Sequence, residues 1–166
     1  MQTTRSPGST SKSSRSASGR SDTGRREADA SAAASRRRMS ALIERLSDAD
    51  LRRTTPDGWE VSAVFAHIAF WDRCTLARWE RYGDEAAFRD VDVDIANAAA
   101  LPQWRALAPR EALRDALAAA EATDAKIASM PDSAIALMLG HDRRWMTDRS
   151  RHRNAHLDEV EQAIAR

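Results

Sequence analysis

The chain has 166 residues, 42% hydrophobic and 31% charged, with a formal net charge of +1, enough for one ordinary domain with a real core and a solvated surface. Its single cysteine, Cys74, excludes an intrachain disulfide. No run approaches the ~18 apolar residues of a membrane span and no apolar stretch of secretory type follows the basic N-terminus, so the expected compartment is the cytoplasm.

The charge is unevenly placed. Residues 1–26 carry six basic side chains against one acid, Asp22, which leaves 20 basic and 24 acidic residues in 27–166. The same segment contains no Leu, Ile, Val, Phe or Trp. It cannot bury enough apolar surface to offset its chain entropy and is expected to be a disordered tail. A Ser- and Arg-rich, acid-poor start also suits an organellar transit peptide, but those require large apolar residues on one helix face.

The folded part is expected over 27–166. Ala28, Ala32, Met39, Leu42, Ile43 and Leu46 recur at helical spacing and predict a first helix over roughly 27–47. Thr54-Thr55-Pro56-Asp57-Gly58 reads as a turn. A second helix is predicted from about Val61 to Arg81, stopped by Gly83, with Val64, Ile68 and Trp71 on its apolar stripe and His67 among them. Residues 84–107 read as a long connection with a short helical piece. Asp90-Val-Asp-Val-Asp-Ile alternates like a strand but has nothing to pair with. Pro109 suits the first position of a third helix over 109–129, whose stripe is Leu113, Leu117, Ala120, Asp124 and Ile127 and which Pro131 ends. A fourth helix is predicted over 143–165. Four helices, one long crossover and no repeat predict an all-α four-helix bundle.

The chemistry rests on histidine placement. His152 and His156 are four residues apart and share one helix face. That face continues through Trp145, Arg149, Val160 and Ala163, which makes it the inward one. His67 lies on the inward stripe of the second helix. Three imidazoles from two helices can hold one divalent ion and leave positions open, as catalytic metal sites do, and imidazole suits zinc, nickel or copper. Taken singly, an i,i+4 histidine pair also arises on a solvated face, and a lone His on an apolar stripe is also an ordinary core residue. Arg149, one turn from His152, is a candidate to hold a substrate carboxylate, or else an arginine that reaches out to water. Asp72 and Asp148 are candidates to orient the imidazoles or members of a solvated face. Arg78 lies three turns beyond His67, ~16 Å along the helix, and is set aside. Cys74 reads as a small core residue. His141-Asp142 is a metal phosphohydrolase-like pair without the further ligands such a site needs, and reads as a turn.

The segment Trp59-Glu-Val-Ser-Ala-Val-Phe-Ala-His67-Ile-Ala-Phe-Trp71-Asp72 resembles the second-helix signature of the DinB-like superfamily. That superfamily includes the N-terminal domain of mycothiol-dependent maleylpyruvate isomerase and related low-molecular-weight-thiol transferases. Ser47-Asp-Ala-Asp-Leu51 and Pro56-Asp-Gly-Trp59 resemble the family's approach to that helix. Asp148-Arg-Ser-Arg-His152-Arg-Asn-Ala-His156-Leu-Asp-Glu-Val-Glu resembles its last helix, and Asp90-Val-Asp with Asn97 and Trp104-Arg105 its long connection. Glu60 stands where the family commonly has Ser or Thr, but an acid still suits a helix N-terminus.

The resemblance covers roughly 27–166. It implies a DinB-like bundle with a zinc- or nickel-type ion at His67, His152 and His156. It further implies a possible transfer reaction that uses a low-molecular-weight thiol as co-substrate. The isomerase's own reaction is not carried over. The alternatives are a metal-dependent hydrolase and a non-catalytic, stress-associated metal-binding protein. The expected partners are a small-molecule substrate and a second copy in a homodimer, with no membrane. No specific nucleic acid is expected either, because the acidic body offers no basic face.

Overall fold

The structure, a computed structural model, describes residues 14–166. Among them are six α-helices and no strand: α1 (Ser14–Arg45), α2 (Val61–Glu80), α3 (Val93–Ala106), α4 (Pro109–Ser129), α5 (Asp132–Gly140) and α6 (Ser150–Ile164). α2 packs most extensively on α4 and also touches α3 and α6, while α1 lies on α4 and α6. The bundle is therefore α1, α2, α4 and α6, as the apolar periodicity predicts, with α3 and α5 added at its sides. None of the described helices is long and apolar enough to cross a membrane.

The predicted stripes face one core. Met39 and Leu42 of α1, with Leu46 just past its end, meet Val64, Phe65 and Ile68 of α2, Leu113, Ala116 and Ala120 of α4, and Leu157, Val160 and Ala163 of α6. Each large aliphatic or aromatic side chain fully buried there contributes ~1.5–3 kcal/mol. A second cluster under α5 gathers Trp79, Ile127, Met130, Ala134, Met138 and Met146.

The turn at 54–58 forms as expected. Gly58 adopts φ +79°, its amide donates to Thr55 O at 2.9 Å, and Thr55 N donates to Trp59 O at 2.8 Å. A side chain at Gly58 would be strained by that backbone. The turn delivers Trp59 to the start of α2. Pro109 is the first residue of α4, as expected.

Three boundaries differ from the sequence reading. α1 begins at Ser14, ahead of the expected start near 27. No proline interrupts the chain between Pro7 and Pro56, and Arg25 is tied to Asp132 and to Ala128 O. The tail expected over 1–26 lies, for residues 1–13, outside the described residues.

The connection at 84–107 holds a helix of 14 residues, α3, in place of a short piece. Its Asp-Val alternation is a helix start, because Asp92 Oδ1 accepts from Ile95 N at 3.0 Å as an N-cap. α3 docks through Ala100 and Trp104 onto Ala63, Ala66 and Ala112.

The fourth predicted helix, 143–165, is shorter at its start. Asp148 Oδ1 accepts from Ser150 N at 2.8 Å, and Trp79 Nε1 donates to Met146 O at 2.6 Å. These bonds hold Arg144–Met146 as a separate 3-10 turn before α6. Trp145 is consequently not on the inward face of α6 but 38% exposed.

Candidate metal centre

His67 comes from the middle of α2, and His152 and His156 from successive turns of α6. The α2–α6 contact brings the three rings together. Their centroids are 5.3 Å apart for His67–His152, 4.5 Å for His67–His156 and 4.7 Å for His152–His156. One ring nitrogen from each lies within 4.8 Å of the other two, the only such ligand cluster among the described residues.

The donor set fits a metal ion. His67 Nε2 and His152 Nε2 are 3.3 Å apart, and two nitrogens ~2.0–2.1 Å from one tetrahedral zinc-like ion would sit about 3.3 Å apart. His156 Nδ1 donates to Glu159 Oε2 at 2.9 Å. That bond sets the tautomer that leaves Nε2 free to meet an ion. Burial first, then His156 and Arg149, push the pKa of His67 down to about 3. His152 moves in the same direction, chiefly through burial and then through Arg149. Both rings are therefore neutral at pH 7, as metal ligands must be.

The site sits in aromatic surroundings. Trp59 and Trp104 lie edge-on to His67, each with centroids at 5.2 Å. Trp71 lies beyond them, its Nε1 donating to Asn97 Oδ1 at 2.9 Å. Above the three histidines opens a cavity of about 620 Å³, lined further by Asp57, Asp90, Val91, Val93, Trp145, Arg78, Arg149 and Glu159. The three histidines thus form one wall of a cavity large enough for a small ligand, with apolar side chains around it and a few charges.

Beneath the ligands runs a buried ionic seam. Arg153, with no exposed side-chain surface, donates from Nε to Asp72 Oδ2 at 2.7 Å and from Nη1 and Nη2 to the two Asp124 oxygens at 2.9 Å. Asp72 Oδ1 accepts from Arg149 Nε at 2.9 Å. Arg149 Nη2 in turn donates to His152 Nδ1 at 2.9 Å.

The candidates divide accordingly. His67, His152 and His156 are brought together as the sequence predicts. Arg149 joins them and lines the cavity, though it is buried rather than reaching out to water. Asp72 is neither a direct orienter of an imidazole nor part of a solvated face; it acts on His152 only through Arg149. Asp148 serves the start of α6 instead of a ligand. Arg78, set aside for its distance along α2, lines the same cavity and stacks on Trp145 at 5.0 Å. The Cys74 thiol is pushed up by burial and stays protonated at neutral pH. His141 and Asp142 are exposed at the end of α5, away from the site.

Two participants escaped the sequence reading. Glu159 has a legible signal, an acid three residues after His156 and so one turn along the same helix. Arg153 has a weaker one, a charged residue four before Leu157 on the inward stripe.

Fold and site together define a helical bundle with a three-histidine centre that can hold a metal ion. The sequence model of the mycothiol maleylpyruvate isomerase N-terminal domain matches residues 32–163, and the chain belongs to that family, within the DinB-like superfamily. No curated protein and no solved structure matches the chain.

Proposed function

We propose that this protein is a zinc- or nickel-type metal-dependent transferase that joins a low-molecular-weight thiol to a small electrophile in the cytoplasm. The observation that carries the reading is the convergence of three imidazoles, two of them held neutral, in the wall of a cavity with room for two small reactants. The family's name supports the thiol.

When bound, the ion supplies the positive charge that turns a thiol into a thiolate. The chain's own residues do the rest. His67, His152 and His156 would hold the ion, and Glu159 fixes the ring of His156. Trp59 and Trp104 cover the edges of His67 and keep water from that side. Arg149 presents a guanidinium beside the ligands, where an anionic group of the substrate would lie. Trp71, Trp145, Val91 and Val93 give an apolar wall for the body of the electrophile.

The test is a turnover assay on metal-loaded protein with chlorodinitrobenzene as electrophile and either mycothiol or cysteine as thiol. Consumption should require both thiol and metal and should disappear in His152→Ala. Ester or amide hydrolysis at the same rate without thiol would replace this reading with metal-dependent hydrolysis. Metal binding without either activity would leave a non-catalytic metal-binding protein.

A further inference from the structure

His152 has two ring nitrogens and both are already engaged. Arg149 Nη2 lies 2.9 Å from Nδ1, and His67 Nε2 lies 3.3 Å from Nε2. A guanidinium has only donors and keeps its proton, so Nδ1 must be the acceptor. A neutral His152 then carries its hydrogen on Nε2, directed at His67. The tautomer is thus fixed by Arg149, and it is the wrong one for an ion shared with His67.

Holding an ion through Nε2 requires the hydrogen on Nδ1. His152 is neutral before and after: one proton leaves Nε2 and one is taken up at Nδ1. The new N–H then faces Arg149 Nη2 donor against donor at hydrogen-bond distance, and that contact cannot persist. Arg149 stays tethered by Nε to Asp72 Oδ1, and its side chain lines the cavity. Its released edge then borders the cavity that its side chain lines.

We propose that Arg149 and the metal ion compete for His152, and that loading the ion frees Arg149 to bind a carboxylate-bearing ligand in the adjacent cavity. This rests on the reading that the three histidines hold a metal. Without an ion Arg149 caps His152, and the carboxylate site exists only beside a bound ion. The planar fork of Arg149 suits a carboxylate. The neighbouring Trp71, Trp145 and Val91 suit a flat apolar body attached to it. Coupling of this kind is reciprocal: the carboxylate must tighten the metal by the same factor as the metal tightens the carboxylate.

Three measurements test it, using zinc and benzoate as probes. Nitrogen-15 NMR of the wild-type protein should show His152 protonated at Nε2 without zinc and at Nδ1 with it; Nδ1 protonated in both states overturns the proposal and needs no variant. Arg149→Met should bind zinc several-fold more tightly than wild type, with Arg78→Met unchanged. Weaker zinc binding by Arg149→Met would make Arg149 a support for His152, against the proposal. Benzoate should bind the zinc-loaded protein at least tenfold more tightly than the metal-free protein, and Arg149→Met should lose that gain. Equal benzoate affinity with and without zinc, or a gain that survives Arg149→Met, overturns it. Failure of zinc to bind wild type at all would instead defeat the metal reading itself.

Discussion

Asp72 on α2 and Arg153 on α6 form an ion pair in which neither side chain has any exposed surface. The pair lies directly under the histidines and joins the two helices that supply them. Taking such charges out of water is costly, and the cost is offset only when geometry is good and every remaining polar atom is satisfied. Here both oxygens of Asp72 are used, one by Arg153 and one by Arg149, and Arg153 also grips Asp124 with two parallel bonds. Burial opposes the charge on Arg153, but Asp72 and Asp124 outweigh it and its pKa is displaced upward. The seam fixes the height of α6 against α2 and hence the position of His152 opposite His67.

Arg153→Ala should therefore destabilise the protein by about 3 kcal/mol, because it removes the fully buried cation of the seam and leaves Asp72 with Arg149 alone and Asp124 with Arg36 alone. Urea unfolding monitored by circular dichroism measures this directly. A loss below about 1 kcal/mol would mean that water reaches the seam and that the pair does not set the α2–α6 register.

Much of this was legible in the chain. The bundle follows from apolar spacing at Met39–Leu46, Val64–Ile68, Leu113–Ile127 and Leu157–Ala163, because burial of one stripe per helix decides such folds. The histidine cluster follows from the same periodicity, since residues on inward stripes converge. What periodicity could not supply was partner choice among charges. Asp72 and Arg153 sit at core positions, yet a helical wheel cannot say that they meet each other and also Asp124 and Arg149. α3 was masked by the alternation of Asp90 to Ile95, whose meaning depends on the single N-cap bond from Ile95 N to Asp92.

Each of His67→Ala, His152→Ala and His156→Ala should abolish stoichiometric zinc binding, while His141→Ala should leave it at one ion per chain. One ring nitrogen of each lies within 4.8 Å of the other two, close enough to share an ion, whereas His141 is exposed at the end of α5. Native mass spectrometry after zinc loading gives the count. Helix content should persist in all four variants, because the bundle is held by its apolar core. Full binding by His67→Ala would place the ion elsewhere.

Glu159→Ala should weaken zinc binding ten- to a hundredfold, the usual effect of removing a carboxylate that orients a ligand imidazole. Glu159 is partly exposed and bonded to His156 Nδ1, so the metal-free stability should change by no more than about 0.5 kcal/mol. Competition with a chelating dye reads the affinity, and thermal unfolding reads the stability. An unchanged affinity would show that His156 is oriented by its helix alone.

The metal-free protein should lose stability on acidification earlier than its carboxylates require. The folded-state pKa of His67 is pushed down to about 3, by burial first and then by His156 and Arg149, whereas an unfolded-chain histidine titrates near ~6.5. Between those values the unfolded chain binds a proton that the folded chain refuses, so stability rises with pH there. The contribution is complete above ~6.5 and is lost progressively as pH falls towards about 3. His152 is displaced in the same direction and adds to the effect. Asp50 and Asp115 are also held below their ordinary range, by hydrogen bonds from Ser47 and Arg73 respectively, but they weaken the fold only below the carboxylate range near ~3.9. Urea unfolding at pH 7.5 and pH 5.0 separates the two groups. Wild type should lose stability between these pH values, and His67→Leu should lose clearly less, since Leu carries no proton to refuse. Equal losses in the two proteins would show that His67 takes up its proton without unfolding, and that the ring is not held neutral by the site.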